Sequence, residues 1–268
     1  MSLMYFFVFL FGAIIGSFLN VVILRFRTGR GVMGRSGCFS CGKTLSPSEL
    51  IPIVSFLWQK GRCLECRTRI SLQYPIVEFL MGSIVVVLFH IHMVSFSSIS
   101  LQVLLFFILD IIIWGLLLAV LVYDMKHMII PDLWSVTFSV LACIRIALSY
   151  IYGNHSILSA IVGALVLSGF FFILWFISRG AWIGLGDSKL AFGMGLYLGF
   201  PVGLSAFAYA FWIGATVALL KMGYERVIMH TQSVTMKSEV PFAPFLIIGT
   251  FFAFLFQSDV FHIQFFFS

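Results

Sequence analysis

The sequence predicts an all-α polytopic membrane protein with about eight transmembrane helices and a cytoplasmic loop that resembles a four-cysteine zinc ribbon. Of the 268 residues, 61% are hydrophobic and only 10% are charged, whereas soluble proteins average about 25% charged residues. Several apolar runs reach the roughly 20 residues that cross a bilayer. Four of the five cysteines form two Cys-x-x-Cys pairs in the only long polar stretch.

The apolar runs divide the chain into predicted membrane helices. No basic segment precedes the first run, Leu3–Leu24, and no small-residue cleavage site follows it, so we expect a retained helix and not a signal peptide. The run Leu190–Met222 is too long for one helix, and the glycines and proline at 199–203 predict two short helices. The remaining runs complete a count of eight: Pro75–Met93, Leu101–Tyr123, Leu133–Tyr152, Ile157–Ile177 and Phe242–Phe256.

Basic residues predict the orientation, because Lys and Arg near span ends stay in the cytoplasm. Nine of the sixteen lie between Arg25 and Arg69, so the loop after the first helix is predicted to be cytoplasmic. The expected division is a first helix at 1–24, a zinc-binding loop at 25–74 and a membrane core at 75–268. Attraction to anionic lipid headgroups explains the net charge of +6. Nucleic-acid binding is not expected, because no aromatic and basic stacking face accompanies the charge.

The two cysteine pairs in this loop predict a metal site. Cys38 and Cys41 form one pair, and Cys63 and Cys66 form the other. Tetrahedral Zn²⁺ takes four thiolates, and each Cys-x-x-Cys turn supplies two. Disulfides are the alternative, which a reducing cytoplasm disfavours. Because four ligands close the coordination shell, the predicted Zn²⁺ is structural.

Two aspartates at the edges of predicted spans are the candidate catalytic residues. A carboxylate at membrane depth is costly unless function or a partner retains it. Asp124 closes the third predicted span, and Asp187 precedes the sixth in a Gly-x-Gly-Asp sequence. Because two predicted spans separate them, both aspartates are expected at the cytoplasmic face.

A close carboxyl pair favours peptide-bond hydrolysis. Two such groups share one proton, so one activates water while the other protonates the carbonyl oxygen or the leaving amine. Gly184 and Gly186 permit tight turns and the close approach of an extended substrate, and Lys189 is expected to tune the pair. The residues alone leave an alternative open, in which Asp124 and Asp187 are boundary residues or an ion-pathway pair.

Three other polar residues have structural interpretations. Asp110 lies within a predicted span, where a buried hydrogen bond to a neighbouring helix is expected. Asn20 is expected to bond across helices, beside a small-residue face formed by Gly12 and Gly16. His127 follows Asp124 and is expected to be a solvated interfacial side chain.

The ordered motifs resemble those of the bacterial type IV prepilin peptidases, which are membrane aspartic proteases and also N-methyltransferases. The resemblance covers nearly the whole chain. It includes both cysteine pairs and five further motifs: Gly16-Ser17-Phe18-Leu19-Asn20-Val21-Val22, Tyr74-Pro75-Ile76-Val77-Glu78, Asp124 with Ile130-Pro131-Asp132, Gly184-Leu185-Gly186-Asp187-Ser188-Lys189-Leu190, and Pro241-Phe242-Ala243-Pro244-Phe245-Leu246. The chain departs from the family pattern at Ala243, where glycine is usual, and a negative φ there would accommodate the extra methyl.

The resemblance implies that Asp124 and Asp187 cleave the leader from prepilins or pseudopilins at the cytoplasmic face of the bacterial inner membrane. The new N-terminus would then be methylated from S-adenosylmethionine, with Gly61 and Arg62 in the zinc-bearing loop implied as cofactor contacts. Glu78 and Asp132 are candidates for leader recognition or active-site support. A transporter or a membrane zinc-ribbon assembly factor, using the same acids for ion or partner binding, is the alternative. The sequence leaves the oligomeric state open.

Overall fold

The computed structural model describes residues 2–29, 31, 33–95, 100–152, 157–224, 241–257 and 259–261. Helices are the main secondary structure in these residues, and no strand is present among them. Two isolated β-bridges occur in the cysteine-rich loop. The loop also holds a short 3₁₀ helix at Pro47–Leu50. The α-helices are α1 Ser2–Arg25, α2 Val54–Trp58, α3 Gln73–Ser95, α4 Leu101–His127, α5 Asp132–Ile151, α6 Ile157–Ser178, α7 Leu185–Leu198, α8 Phe200–Tyr224 and α9 Ala243–Phe256.

The helix lengths confirm a polytopic membrane protein. Within the described ranges, six helices are long and apolar enough to cross a membrane: α1, α3, α4, α5, α6 and α8. The other two long helices, α7 and α9, have 14 residues each. At 1.5 Å per residue each is about 21 Å long, which is shorter than the roughly 30 Å hydrocarbon core. The helices α1 and α3–α9 match the predicted count of eight, and six of them have the length of full spans.

The predicted division of the apolar run Leu190–Met222 occurs at a single residue. Helix α7 ends at Leu198 and α8 begins at Phe200. Between them, Gly199 has a φ of +77°, a conformation that glycine adopts without a steric penalty. Pro201 lies in the first turn of α8, where its missing N–H has no helical partner to lose. The glycine, and not the proline, therefore separates the two helices.

The chain divides into two compact units, Met1–Ala119 and Val120–Ser268, with the boundary inside α4. In the first unit, α1 packs closely against α3. A Cβ on Gly12 would lie 2.9 Å from the carbonyl oxygen of Met81, so only glycine permits this separation. Asn20 Nδ2 donates to the carbonyl oxygen of Tyr74 at 3.2 Å. The predicted small-residue face and cross-helix hydrogen bond are both present.

Glycines also set the helix separations in the second unit. A Cβ on Gly195 of α7 would lie 2.4 Å from the backbone nitrogen of Ala164 in α6, and one on Gly249 of α9 would lie 2.4 Å from the carbonyl oxygen of Ala206 in α8. Ala243 is fully buried, and its φ is negative, as the expected tolerance of its methyl requires. Close packing on α6 therefore fixes the position of α7 within this unit.

Candidate active site

The two candidate catalytic aspartates both lie in the second unit. Asp124 is in the last turn of α4 and Asp187 is in the first turn of α7. The two intervening helices, α5 and α6, each have the length of a membrane span, so the two aspartates lie at the same membrane face. The Asp124 carboxylate is near enough to repel the charge of Asp187.

Each of these carboxyl groups is buried and has an oxygen without a hydrogen-bond partner among the described residues. The exposed fraction is 3% for Asp124 and 8% for Asp187. The oxygens without partners are Oδ2 of Asp124 and Oδ1 of Asp187. Because buried polar atoms are nearly always paired, these two oxygens are candidates for contact with water or substrate.

The two glycines beside Asp187 have different surroundings. A Cβ on Gly186 would lie 3.0 Å from the Cβ of Ile130, so this glycine allows the α4–α5 loop to pack on the start of α7. A Cβ on Gly184 would meet Oδ2 of Asp187 at 3.6 Å, an ordinary contact distance. Gly184 precedes the helix, and its carbonyl oxygen accepts the Asp187 N–H at 3.2 Å. The Gly186 contact links the loop that follows Asp124 to the helix that carries Asp187.

Lys189 forms an ion pair with Asp132 at the start of α5. Its Nζ lies 2.7 Å from Oδ1 of Asp132, and both side chains are exposed. Exposed pairs contribute only about 0–1 kcal/mol to stability, but this pair joins the first turns of α5 and α7. Two residues expected near the site thus contact each other, and Asp132 neutralises the Lys189 charge.

Other neighbours of the aspartates have structural contacts. The His127 ring stacks on Tyr123 with centroids 4.2 Å apart, and its Nδ1 lies 3.1 Å from the Tyr123 carbonyl oxygen. The exposed position of His127 agrees with the expected interfacial side chain. The Ser188 hydroxyl donates to the carbonyl oxygen of Ser168 in α6 at 2.9 Å, which holds the residue next to Asp187 against α6.

In the first unit, the four loop cysteines converge on one point. The sulfurs of Cys38, Cys41, Cys63 and Cys66 all lie within 4.8 Å of one another, and none is in a disulfide. The Cys38 and Cys66 sulfurs are 3.7 Å apart. A tetrahedron with Zn–S bonds of about 2.3 Å separates its sulfurs by about 3.8 Å. The geometry therefore fits a metal ion held by four thiolates.

The two cysteine turns share one backbone pattern. The Gly42 N–H donates to the Cys38 carbonyl oxygen at 2.9 Å, and the Arg67 N–H donates to the Cys63 carbonyl oxygen at 3.0 Å. Both donor residues have positive φ, +74° at Gly42 and +58° at Arg67. The two turns are thus equivalent zinc-knuckle-like hairpins, although only the first has glycine at the left-handed position.

The hydrogen bonds in these turns favour the thiolate at Cys38 and Cys66, whereas the pKa of Cys41 is raised to about 11. The Thr68 hydroxyl and backbone N–H lower the pKa of Cys66 to about 6. Backbone N–H groups of Cys41 and Ser40 lower the pKa of Cys38. Because the thiolate is the form that binds metals, these two residues are prepared for ligation.

The remaining loop candidates have local roles. Gly61 has a φ of +66°, and a Cβ there would lie 3.0 Å from the Phe56 ring, so backbone conformation and packing both account for this glycine. Arg62 is exposed beside the buried Cys63. Glu78 in α3 is buried, and its Oε2 accepts the backbone N–H of Ile53 at 2.7 Å, so it anchors the loop to the membrane helix.

Asp110 makes a buried hydrogen bond to a neighbouring helix, as the sequence predicted. It is fully buried in α4, and its Oδ2 lies 3.0 Å from Nε2 of His92 in α3. The pair links two helices of the first unit. Asp110 thus differs from Asp124 and Asp187, each of which has an oxygen without a partner.

Sequence reasoning missed two residues that position the candidate site. Ile130 packs on Gly186, and Ser188 bonds to α6. Both lie inside motifs that were recognised, but their contacts depend on how α5, α6 and α7 are packed. Nothing in the sequence indicates that Ile130, six positions after Asp124, would contact Gly186 in α7.

Comparisons with known proteins identify the family. Residues 10–92 match the model of the bacterial peptidase A24 N-terminal domain, and residues 111–219 match that of the type IV leader peptidase family. Three relatives carry the name prepilin leader peptidase/N-methyltransferase. The protein of Bacillus subtilis (strain 168) is 32% identical over 94% of both chains. That of Aeromonas salmonicida (strain A449) is 27% identical over 94% of this chain and 91% of its own. That of Myxococcus xanthus (strain DK1622) is 30% identical over 81% of this chain and 62% of its own.

No solved structure matches the chain at a significant level. The two family models together cover most of the sequence, and the Bacillus relative aligns across nearly all of it. The chain belongs to the type IV leader peptidase family.

Proposed function

We propose that this protein is a prepilin leader peptidase in which Asp124 and Asp187 perform the hydrolysis. The observation that carries the proposal is the pair of buried carboxyl groups at one membrane face, each with an oxygen that has no partner in the described part of the chain. The names of the relatives supply the substrate class, which is the leader of a prepilin. Family membership does not favour the alternative of a transporter or an assembly factor.

The chemistry requires one proton on the carboxyl pair. The ionised aspartate takes a proton from water, and the resulting hydroxide adds to the carbonyl carbon of the scissile peptide. The protonated aspartate donates first to the carbonyl oxygen. The aspartate that took the water proton then passes it to the amine nitrogen as the C–N bond breaks. A hydroxyl proton of the tetrahedral intermediate returns to the other aspartate, which leaves a carboxyl group on the leader and a free N-terminus on the pilin.

Three structural features support this arrangement. The contact between Gly186 and Ile130 holds the loop after Asp124 against α7. The Lys189–Asp132 ion pair joins the starts of α5 and α7. Gly184 leaves the approach to Asp187 without a side chain. We propose that these residues support the site and do not take part in proton transfer.

We propose that the four loop cysteines hold a structural Zn²⁺. Their sulfur separations fit a tetrahedral ion, and four thiolates leave no coordination position for a substrate. We propose that residues 25–74 form this zinc-binding region. The metal would fix the loop conformation rather than take part in hydrolysis.

The second proposed activity is N-methylation, which is part of the relatives' names. S-adenosylmethionine would supply the methyl group when bound. Arg62 is the residue in this loop that we propose for cofactor contact, because its exposed guanidinium complements the carboxylate of an amino-acid cofactor. Gly61 would act by fixing the turn that presents Arg62.

We place the protein in the bacterial inner membrane with its candidate active site facing the cytoplasm. The basic residues between Arg25 and Arg69 support this orientation. Helices α3 and α4 form one pair of membrane crossings, and α5 and α6 form another. We therefore place on the cytoplasmic side of the membrane the end of α1, the start of α3, the end of α4 and the start of α7.

Purified protein in lipid nanodiscs, incubated with a prepilin, tests the assignment. Asp124→Asn and Asp187→Asn should each abolish cleavage, because the amide can neither accept the water proton nor supply one. Asp110→Asn is the matched control, since it makes the same change at a buried aspartate in the other unit, and it should retain cleavage. Cleavage by either Asp124→Asn or Asp187→Asn would overturn the assignment.

A further inference from the structure

The segment Pro47–Trp58, which includes the 3₁₀ helix and α2, presents an uncovered apolar face. Ile51, Val54, Leu57 and Trp58 have exposed fractions of 48%, 51%, 67% and 84%. Within α2, Leu57 and Trp58 lie three and four residues after Val54, which places these three side chains on one side of the helix. No described residue of the first unit covers this apolar face.

The depth of the segment indicates what covers this apolar face. The N–H of Ile53 bonds to Glu78, which lies five residues into α3, or about 8 Å along the helix axis. At the same level, a Cβ on Gly16 would lie 2.8 Å from the Cα of Glu78. Gly16 lies nine residues before the end of α1, or about 14 Å along its axis. Because the Glu78 side chain spans only part of this length, the Ile53 backbone lies beside the loop-side turns of both membrane helices.

The backbone is strained at Ile53, where the segment is bonded to α3. Ile53 has a φ of +62° and a ψ of −51°, and the Val54 N–H donates to the Pro52 carbonyl oxygen at 2.6 Å. This is a γ-turn of the rare, strained form, and positive φ is a genuine outlier for a β-branched residue. The buried Glu78 carboxylate provides a charge-assisted hydrogen bond that offsets the strain.

The residue types on this face match the boundary between headgroups and acyl chains. Tryptophan is enriched there because its ring is apolar while its N–H is polar. Lys60, exposed just after Trp58, can reach phosphates, and cations near the cytoplasmic leaflet are attracted to anionic lipids. The pattern of apolar side chains followed by a cation is that of an interfacial segment.

We propose that Pro47–Trp58 is an interfacial segment that docks on the protein's own bilayer. Leu57 and Trp58 enter the acyl boundary, Lys60 contacts anionic headgroups, and the bond from Ile53 to Glu78 sets the depth. The docking fixes one side of the cysteine-bearing loop to the membrane. The docking involves neither hydrolysis nor methyl transfer, so it can be tested independently of those activities.

Tryptophan fluorescence in nanodiscs with brominated acyl chains tests the docking. The difference in emission between the wild type and Trp58→Phe gives the fluorescence of Trp58. The same difference for Trp212→Phe gives the fluorescence of Trp212, an exposed residue at the middle of α8 that serves as the positive control. We expect brominated lipid to quench the Trp58 component by a fraction comparable to that of Trp212. We expect iodide in the buffer to leave the Trp58 component largely unquenched.

The lysine has its own test in nanodiscs of varied anionic lipid content. In the wild type, lipid quenching of Trp58 should increase with the anionic fraction, and Lys60→Gln should reduce that dependence. Quenching of Trp58 by iodide without quenching by brominated lipid would overturn the proposal, because the face would then be in water. Protection from both quenchers would also overturn it and would point to a protein surface, such as a second copy, covering the face.

Discussion

Three aspartates at membrane depth differ in their hydrogen-bond partners. Asp110 pairs with His92, whereas Asp124 and Asp187 each have a buried oxygen without a partner among the described residues. A paired acid connects two helices, and an acid with an unpaired oxygen is available to water or substrate. The difference supports a stabilising role for Asp110 and the proposed catalytic role for Asp124 and Asp187.

This difference predicts opposite effects of substitution. Asp110→Ala should lower the free energy of unfolding by roughly 1–3 kcal/mol, because it leaves the buried His92 ring without this hydrogen bond. Asp124→Asn and Asp187→Asn should leave stability unchanged or raise it, since each replaces a buried carboxyl group that has an oxygen without a partner among the described residues. Thermal denaturation in detergent measures all three. If Asp110→Ala retained its stability but lost cleavage, Asp110 would belong to the active site.

The sequence identified these aspartates but not their partners. The cost of a carboxylate in lipid drew attention to Asp110, Asp124 and Asp187 from composition and position alone. The contacts from Ile53 to Glu78 and from Lys189 to Asp132 join residues 25 and 57 positions apart. Such pairs depend on tertiary packing and have no local pattern in the chain.

At the scale of the helices, glycine contacts set how closely neighbours approach. Helix α7 carries Asp187 and is held against α6 where Gly195 meets Ala164. Gly169 also lies on α6, but a Cβ there would meet no atom within 4 Å. Alanine at Gly195 therefore tests close helix packing, whereas alanine at Gly169 tests helix propensity alone.

We expect Gly195→Ala to destabilise the protein by about 1–3 kcal/mol, because α6 and α7 would have to move apart. Movement of α7 should also displace Asp187 and reduce cleavage. Gly169→Ala should be neutral or stabilise by up to about 1 kcal/mol, since alanine favours the helix. Unfolding midpoints and prepilin cleavage would be measured for both. Equal stability of the two variants would show that the close approach at Gly195 is not required.

The long helices could be predicted from hydropathy, while the short elements could not. The break at Gly199 fell inside the predicted region because glycine permits positive φ. Helix α7 begins at Leu185, earlier than the apolar run suggested, because its first turn carries Asp187 and other polar residues. The 3₁₀ helix and α2 have too few residues for a periodic signal, and a side-chain bond from α3 holds their connection.

At the scale of the whole molecule, the two groups of functional candidates lie in different compact units. The four cysteines belong to the unit Met1–Ala119, and Asp124 and Asp187 belong to the unit Val120–Ser268. The two family models match the chain in a similar way, one at residues 10–92 and the other at residues 111–219. This separation implies that metal binding and peptide hydrolysis can be lost independently.

Removing one cysteine pair tests that independence. In Cys38→Ser/Cys41→Ser, two of the four ligands are absent, so we expect loss of bound zinc and a less stable loop. N-methylation should decline with the loop, whereas cleavage should continue because the aspartates have their own supporting contacts. Metal analysis would report the zinc content, and mass spectrometry would report cleavage and the added mass of one methylene group on the cleaved pilin.

Cys143→Ser is the matched control, since Cys143 is a free cysteine in α5 outside the metal cluster. It should retain zinc, methylation and cleavage. Loss of cleavage in the double variant to the same degree as methylation, in protein that remains inserted, would contradict the division between the units. The reason is that the aspartate pair would then require the metal-bound loop, and the buried contacts around Asp124 and Asp187 would not suffice to hold the site.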